Sequence, residues 1–216
     1  MPPRPVAPAA LPELLADLCA AALRAGPGRL RVVVDGAPPA CPGALADTTA
    51  RLLRAQGYPV ARVSADDFLR AASLRLEHGR HDPDAHLDGR LDIAALRREV
   101  LDPWGPGGSG RYLPTFWDVA RDRATRAGYL DVPDRGVLLC DGDLLLGRGL
   151  PFDLAVHLRL SPGALRRRIP EAEQWTLPAY ERYAREYFPD TEADVVIRWD
   201  DPRHPAVEVI PRRASG

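Results

Sequence analysis

Asp66 and Asp67 lie just beyond a short strand pattern at residues 60–63, and Asp141 follows an apolar one, GVLLC at 136–140. In an open parallel sheet, ligands bind beyond the carboxyl ends of the strands. A carboxylate placed there can take a proton from a hydroxyl that attacks a phosphate, or hold the water shell of a Mg2+ ion. Asp66 is the candidate base, Asp67 a candidate substrate contact, and Asp141 a candidate Mg2+ ligand acting through water. Each acid also has a plain structural account. Asp66 and Asp67 can cap a helix and fill its first turn, and Asp141-Gly142 can be a simple turn.

Arginines, rings and histidines extend this set. Arg166, Arg167 and Arg168 are consecutive, so on a helix they fan out and cannot all face one ligand. Arg166 and Arg167 are candidates for clamping nucleotide phosphates as a lid; a solvated helix face is the alternative. Tyr112, Phe116, Trp117 and Asp118 group three rings with one acid. They can sandwich a planar base while the acid bonds a ribose, or equally pack a small subdomain. His78, His81 and His86 share the polar run 75–90 with Asp82, Asp84 and Asp88. H-x2-H-x4-H without cysteine matches no standard zinc spacing, so substrate contacts or loop capping are the expected roles.

These side chains need a frame, and the stretch 31–49, RVVVDGAPPACPGALADTT, begins it. Residues 30–34 have the apolar character of a buried parallel strand. Asp35-Gly36 breaks that strand, and a helix follows from residue 44. Strand, glycine turn and helix are the setting of a phosphate-binding loop. Such a loop requires G-x-x-x-x-G-K-[ST]; counted from Gly36, the demanded positions hold Cys41, Pro42 and Gly43. Pro42 brings neither charge nor N–H, Gly43 brings no hydroxyl, and Pro38 and Pro39 remove further backbone donors. All 29 basic residues are arginine, so no lysine elsewhere can take the missing place. Thr48 and Thr49 lie about a full helical turn further on.

Helical patterns at 11–24, 44–56, 93–101, 161–168 and 177–188 surround strand patterns at 30–34, 60–63, 136–140, 154–160 and 193–199. Alternation of this kind predicts an α/β fold, a parallel sheet covered by helices on both faces. Residues 104–110 are flexible by composition, and 111–114 begin a small hairpin returning near Tyr129. Gly26-Pro27-Gly28 ends the first helix. The chain divides into a mobile start and helix at 1–28, one α/β domain at 29–210 and a tail at 211–216. A net charge of -1 and a pI near 6.5 give no pull towards nucleic acid or anionic membrane. No apolar run approaches the ~18 residues of a membrane span. Cys19, Cys41 and Cys140 are odd in number and far apart, which predicts structural thiols in a reducing compartment. With no signal-peptide apolar region at the start, a cytoplasmic location is expected. The oligomeric state is left open.

In order and spacing these pieces resemble the uridine kinase and phosphoribulokinase group of P-loop kinases, over roughly residues 30–199. VVVDG resembles that group's strand and first loop glycine, and SADDFL its D-[DS]-F motif, in which the first aspartate is the base. RYLPTFWDVARDR resembles its aromatic-acid substrate segment, LLCDGDLLL its acid-glycine strand, and ALRRRI its lid helix. The resemblance implies a kinase with ATP and Mg2+ as cofactors and a nucleoside-like small molecule as acceptor. It places Gly36, Cys41, Pro42 and Gly43 in the nucleotide loop, Arg166 and Arg167 in the lid, Asp66 as catalytic, and Tyr112, Asp118 and Arg123 with Asp67 at the acceptor. Two expectations stand side by side. One is phosphoryl transfer from a nucleoside triphosphate to a hydroxyl. The other is a catalytically impaired kinase-fold protein that binds a nucleoside-like ligand or a protein partner.

Overall fold

The computed structural model describes residues 3–26 and 28–210. Residues 1–2, Pro27 of the first turn and the expected tail lie outside the described residues. We number the strands of the central sheet, and the helices of seven residues or more, in chain order. The sequence runs β1 Arg4–Pro5, α1 Leu11–Ala25, β2 Arg29–Gly36, α2 Pro42–Ala55, β3 Val60–Ser64 and β4 Gly136–Gly142. It continues with β5 Leu154–Arg159, α3 Pro162–Arg168, α4 Leu177–Glu186, β6 Val195–Arg198 and β7 Ala206–Val209.

The seven strands form one sheet in the order β1-β7-β6-β5-β2-β4-β3. The five strands from β6 to β3 are parallel, as alternation with helices requires. Val32, Val33, Val34, Val137, Leu138, Leu139, Cys140 and Val156 are fully buried, because these strands are covered on both faces. On one face α1 packs on α2, and the two helices bury Leu11, Leu15, Cys19 and Leu23 with Leu45 and Leu53.

Two antiparallel strands extend the sheet beyond the sequence pattern. β7 pairs with β6, and β1 pairs with β7. The Pro/Ala-rich start is therefore not wholly mobile as expected: Arg4 and Pro5 form the edge strand, the place where a proline without an N–H does least harm to a ladder. The helix predicted at 93–101 changes winding at Arg97–Leu101 and continues to Trp104, which is buried.

The excursions are docked on this frame. The polar run 75–90 follows a short helix, Ala72–Arg75, and holds a wide turn, Ala85–Gly89, with Leu87 buried beneath it. Arg182 of α4 binds Asp84 at 2.8 Å and Asp88 at 2.9 Å. His81 and His86 lie against the Trp175 ring at 5.4 and 5.5 Å. Two small hairpins follow: Arg111–Tyr112 pairs with Leu130–Asp131, the expected return near Tyr129, and Trp117–Asp118 pairs with Arg123–Ala124.

Candidate functional site

Ser64 at the end of β3 is the register partner of Asp141 at the end of β4, so the turn after β3 stands beside Asp141. That turn, Ala65–Phe68, is capped by Ser64, whose Oγ accepts the Asp66 N–H at 3.4 Å. Asp66 and Asp67 thus occupy the first turn of a short helix and the carboxyl end of a strand at once. The half-buried Asp67 carboxyl is pushed above its usual range, first by burial and then by Asp66 and Asp141.

Asp66 is 65% exposed and receives Nη1 of Arg90 at 3.1 Å. The other terminal nitrogen of Arg90 binds Asp143, and Asp143 also accepts the Tyr180 hydroxyl at 2.8 Å. An exposed acid is therefore anchored through an arginine to a buried acid and tyrosine. His86 Nε2 lies 3.8 Å from Asp143 and has no hydrogen-bond partner. Burial, with the Arg90 charge second, holds this imidazole down at about 4 despite Asp143, so it is neutral at pH 7.

Asp141 sits at the start of α2. Nη2 of Arg62 in β3 binds its Oδ1 at 2.8 Å. The same guanidinium reaches Asp47 at 2.9 Å and the Leu139 carbonyl at 2.8 Å. A Cβ added to Gly43 would come within 2.9 Å of Asp141 Oδ2. Glycine at 43 therefore lets the Asp141 carboxylate come close to the helix start, and a larger residue there would have to move that carboxylate by a few tenths of an ångström. Burial raises the Asp141 carboxyl above its usual range, and Arg62 pulls against that rise.

The loop between β2 and α2 is closed on itself. The Ala40 N–H donates to Ala37 O at 2.8 Å and the Cys41 N–H to Pro38 O at 3.0 Å. The N–H groups of Ala44 and Leu45 go to Cys41 O at 3.1 and 3.4 Å. Pro38, Pro39 and Pro42 have no N–H to offer. Cys41 takes the left-handed conformation, φ 54° and ψ 53°, at the position where the motif demands glycine. It is exposed, unlike Cys19 and Cys140, so the expectation of structural thiols holds for those two only. Gly36 serves the sheet: a Cβ there would lie 2.8 Å from Leu158 Cβ.

These residues do not fit a nucleoside triphosphate with Mg2+ held in the manner of a phosphate loop. The N–H groups of Ala40, Cys41, Ala44 and Leu45 are used internally, no cation or hydroxyl stands at 42 and 43, and the candidate Mg2+ ligand is tied to a guanidinium. Among the described residues, no group of three or more His, Cys, Asp or Glu is gathered so as to hold a metal ion.

A second polar centre was not anticipated from the sequence. Asp35, the last apolar-strand neighbour before Gly36, is fully buried. Its Oδ1 accepts the Leu145 N–H at 2.8 Å, and its Oδ2 accepts from His157 Nδ1 at 2.7 Å and from the Tyr183 hydroxyl at 3.2 Å. An acceptor-only carboxylate fixes the proton of His157 on Nδ1, and leaves Nε2 towards Asp190 at 3.7 Å. Both residues line a cleft of about 360 Å³ walled by Leu158, Leu165, Tyr180 and Phe188. An acid at a strand end was the available signal for Asp35; nothing marked His157, Arg90, Asp143, Tyr180 or Tyr183.

The remaining candidates separate. α3 borders the cleft through Pro162 and Leu165. Ser161 caps it, accepting the Ala164 N–H at 3.2 Å, as expected. Arg168 is structural, donating to Trp199 O at 2.9 Å and Asp200 O at 2.6 Å, while exposed Arg166 lies 3.7 Å from Glu181. The Arg167 guanidinium runs back along its own helix towards Gly163. Tyr112, the candidate substrate contact, is buried, with its ring 5.8 Å from Trp104. Of its two readings, subdomain packing is the one these contacts support. Asp118 accepts the Arg121 N–H at 3.0 Å and its guanidinium at 3.1 Å, and pairs in register with Arg123 on the hairpin. That hairpin meets the acid turn where Phe116 N–H donates to Asp67 O at 3.0 Å and Phe116 stacks on Phe68.

No protein-family model matches the sequence, and no curated protein aligns significantly with it. Solved structures do. A protein described as a possible uridine kinase from Bacillus stearothermophilus superposes with a TM-score of 0.69 at 20% identity, over 86% of this chain and 96% of the other. A protein assigned as a fructose transport system kinase from Silicibacter sp. TM1040 gives 0.57 at 24% identity, over 82% and 90%. The YGR205w protein gives 0.64 at 10% identity, over 93% and 99%. With this sheet and these neighbours, the chain has the fold of the P-loop kinases.

Proposed function

We propose that the chain is a uridine kinase-like protein that binds a nucleoside-like small molecule through its hydroxyl groups at Asp66 and Asp67. The observation that carries this reading is the gathering of Asp66, Asp67 and Asp141 at adjacent strand ends, beside a loop with neither lysine nor hydroxyl at 42 and 43. Ionised carboxylates accept hydrogen bonds from sugar-type hydroxyls, each worth about 1.5–3 kcal/mol when the acceptor is charged. Arg90 holds the Asp66 carboxylate in place without covering it.

A second reading is phosphoryl transfer to the bound hydroxyl, with Asp66 accepting its proton. The exposure of Asp66 at the strand end favours it, since a base must reach its substrate. The closed loop favours binding without turnover. One preparation separates the two. Calorimetry with uridine, cytidine and pantothenate measures acceptor binding, and an ATP-dependent phosphorylation assay on the same sample measures turnover. Binding without turnover is the expected result. Turnover that vanishes in Asp66→Ala would establish the second reading, and no binding of any acceptor would overturn both.

A further inference from the structure

We infer that Arg62 is the resident cation of the phosphate-loop corner: its guanidinium holds the place beside Asp141 that a divalent metal ion would need. The inference rests on reading this corner as that of a kinase fold, and it concerns the metal rather than the acceptor.

Three observations converge. First, Arg62 is fully engaged there, on Asp141 at 2.8 Å, on Asp47 at 2.9 Å and on the Leu139 carbonyl at 2.8 Å. A guanidinium offers five N–H donors in a rigid fork, and this one bridges an acid of α2 to an acid of β4. Second, Oδ2 of Asp141, the oxygen not bound to Arg62, stands 2.9 Å from where a Cβ of residue 43 would lie. The carboxylate is thus packed against the helix start, where residue 43 offers no hydroxyl to complete a Mg2+ shell. Third, both side chains of the pair are largely withdrawn from water, at 19% and 11% exposure. A second cation brought to Asp141 would face the Arg62 charge at close range, and like charges in partial burial repel strongly.

Acid, arginine and acid thus form a strut between α2, β3 and β4. Gly43 and Arg62 belong together: the glycine makes room for the carboxylate, and the arginine neutralises it. Asp66 and Asp67, one turn away, are left outside the strut.

Mn2+ is the probe, read by the loss of its free-ion electron paramagnetic resonance signal. Wild-type protein and Asp141→Asn are expected to bind Mn2+ equally poorly. Arg62→Gln, which frees both acids, is expected to bind Mn2+ at least about ten-fold more tightly than wild type, the scale on which one adjacent charge acts on a carboxylate. Adding Asp141→Asn to Arg62→Gln should remove that gain. Should Arg62→Gln fail to fold, Arg62→Lys keeps the charge and must stay as weak a Mn2+ binder as wild type. A wild-type Mn2+ site that Asp141→Asn abolishes would overturn the inference, as would folded Arg62→Gln with no gain. Since no acceptor is present in these titrations, failure of the acceptor reading leaves their outcome unaffected.

Discussion

The Asp35 carboxylate and the His157 imidazole meet at 2.7 Å across β2 and β5, where the two residues are register partners. Asp35 takes hydrogen bonds from three elements: β5 through His157, the segment after β4 through the Leu145 N–H, and α4 through Tyr183. Tyr183 in turn accepts the Leu146 N–H at 2.7 Å. The centre thereby fastens α4 over the sheet and lines the cleft that α3 and α4 border.

Removing that charge should show directly in stability. Asp35→Asn keeps the size but offers an N–H2 where the native group only accepts, so at least one donor is left facing a donor. Leaving a buried donor unsatisfied costs about 1–3 kcal/mol, and more where the lost acceptor was charged, and urea unfolding should show a loss of that order. A midpoint within error of wild type would mean that Asp35 does not fasten α4.

Cys41 should be replaceable with profit. A non-glycine residue in the left-handed region is strained by roughly 1–2 kcal/mol, and Cys41 is exposed with φ 54°. Glycine relieves that strain but adds freedom to the unfolded chain. Cys41→Gly is therefore expected to stabilise by about 0.5–1 kcal/mol, seen as a higher melting temperature.

His86 gives the fold a pH dependence with a definite sign. Its pKa is about 4 in the folded chain and about 6.5 when unfolded. The unfolded state therefore binds the proton first, and stability falls as pH drops from about 6.5 through about 4. The loss at the lower end is on the order of 3 kcal/mol. Urea unfolding of wild type and His86→Gln from pH 7 to pH 4 isolates this term. The wild type should lose more than the variant, and parallel curves would mean that the imidazole is hydrated.

Asp66→Ala should weaken acceptor binding by about 10- to 100-fold, the cost of one or two charge-assisted hydrogen bonds. Because Asp66 is exposed, unfolding should change by less than about 1 kcal/mol. Arg90→Met removes the anchor instead: it should lower both binding and stability, as Asp143 is then buried without its cation.

The sequence by itself determined the layered α/β frame, because buried parallel strands demand continuous apolar runs and helices demand a 3.6-residue period. It also determined that the glycine loop has no lysine and no hydroxyl, since residue identity alone decides that. Asp66, Asp67 and Asp141 were legible as strand-end acids, although residues 67 and 141 are far apart in the chain. Tertiary structure decided the rest. The order β2-β4-β3 set Asp141 beside Arg62 and the acid turn, and the β2–β5 register set Asp35 against His157. No local pattern encodes a partner more than 70 residues away. For the same reason the sequence left Tyr112 between ligand contact and subdomain packing, and only the fold sets its ring against Trp104. Side-chain type states which interactions are available; strand order and register, which depend on the whole core, select the partner.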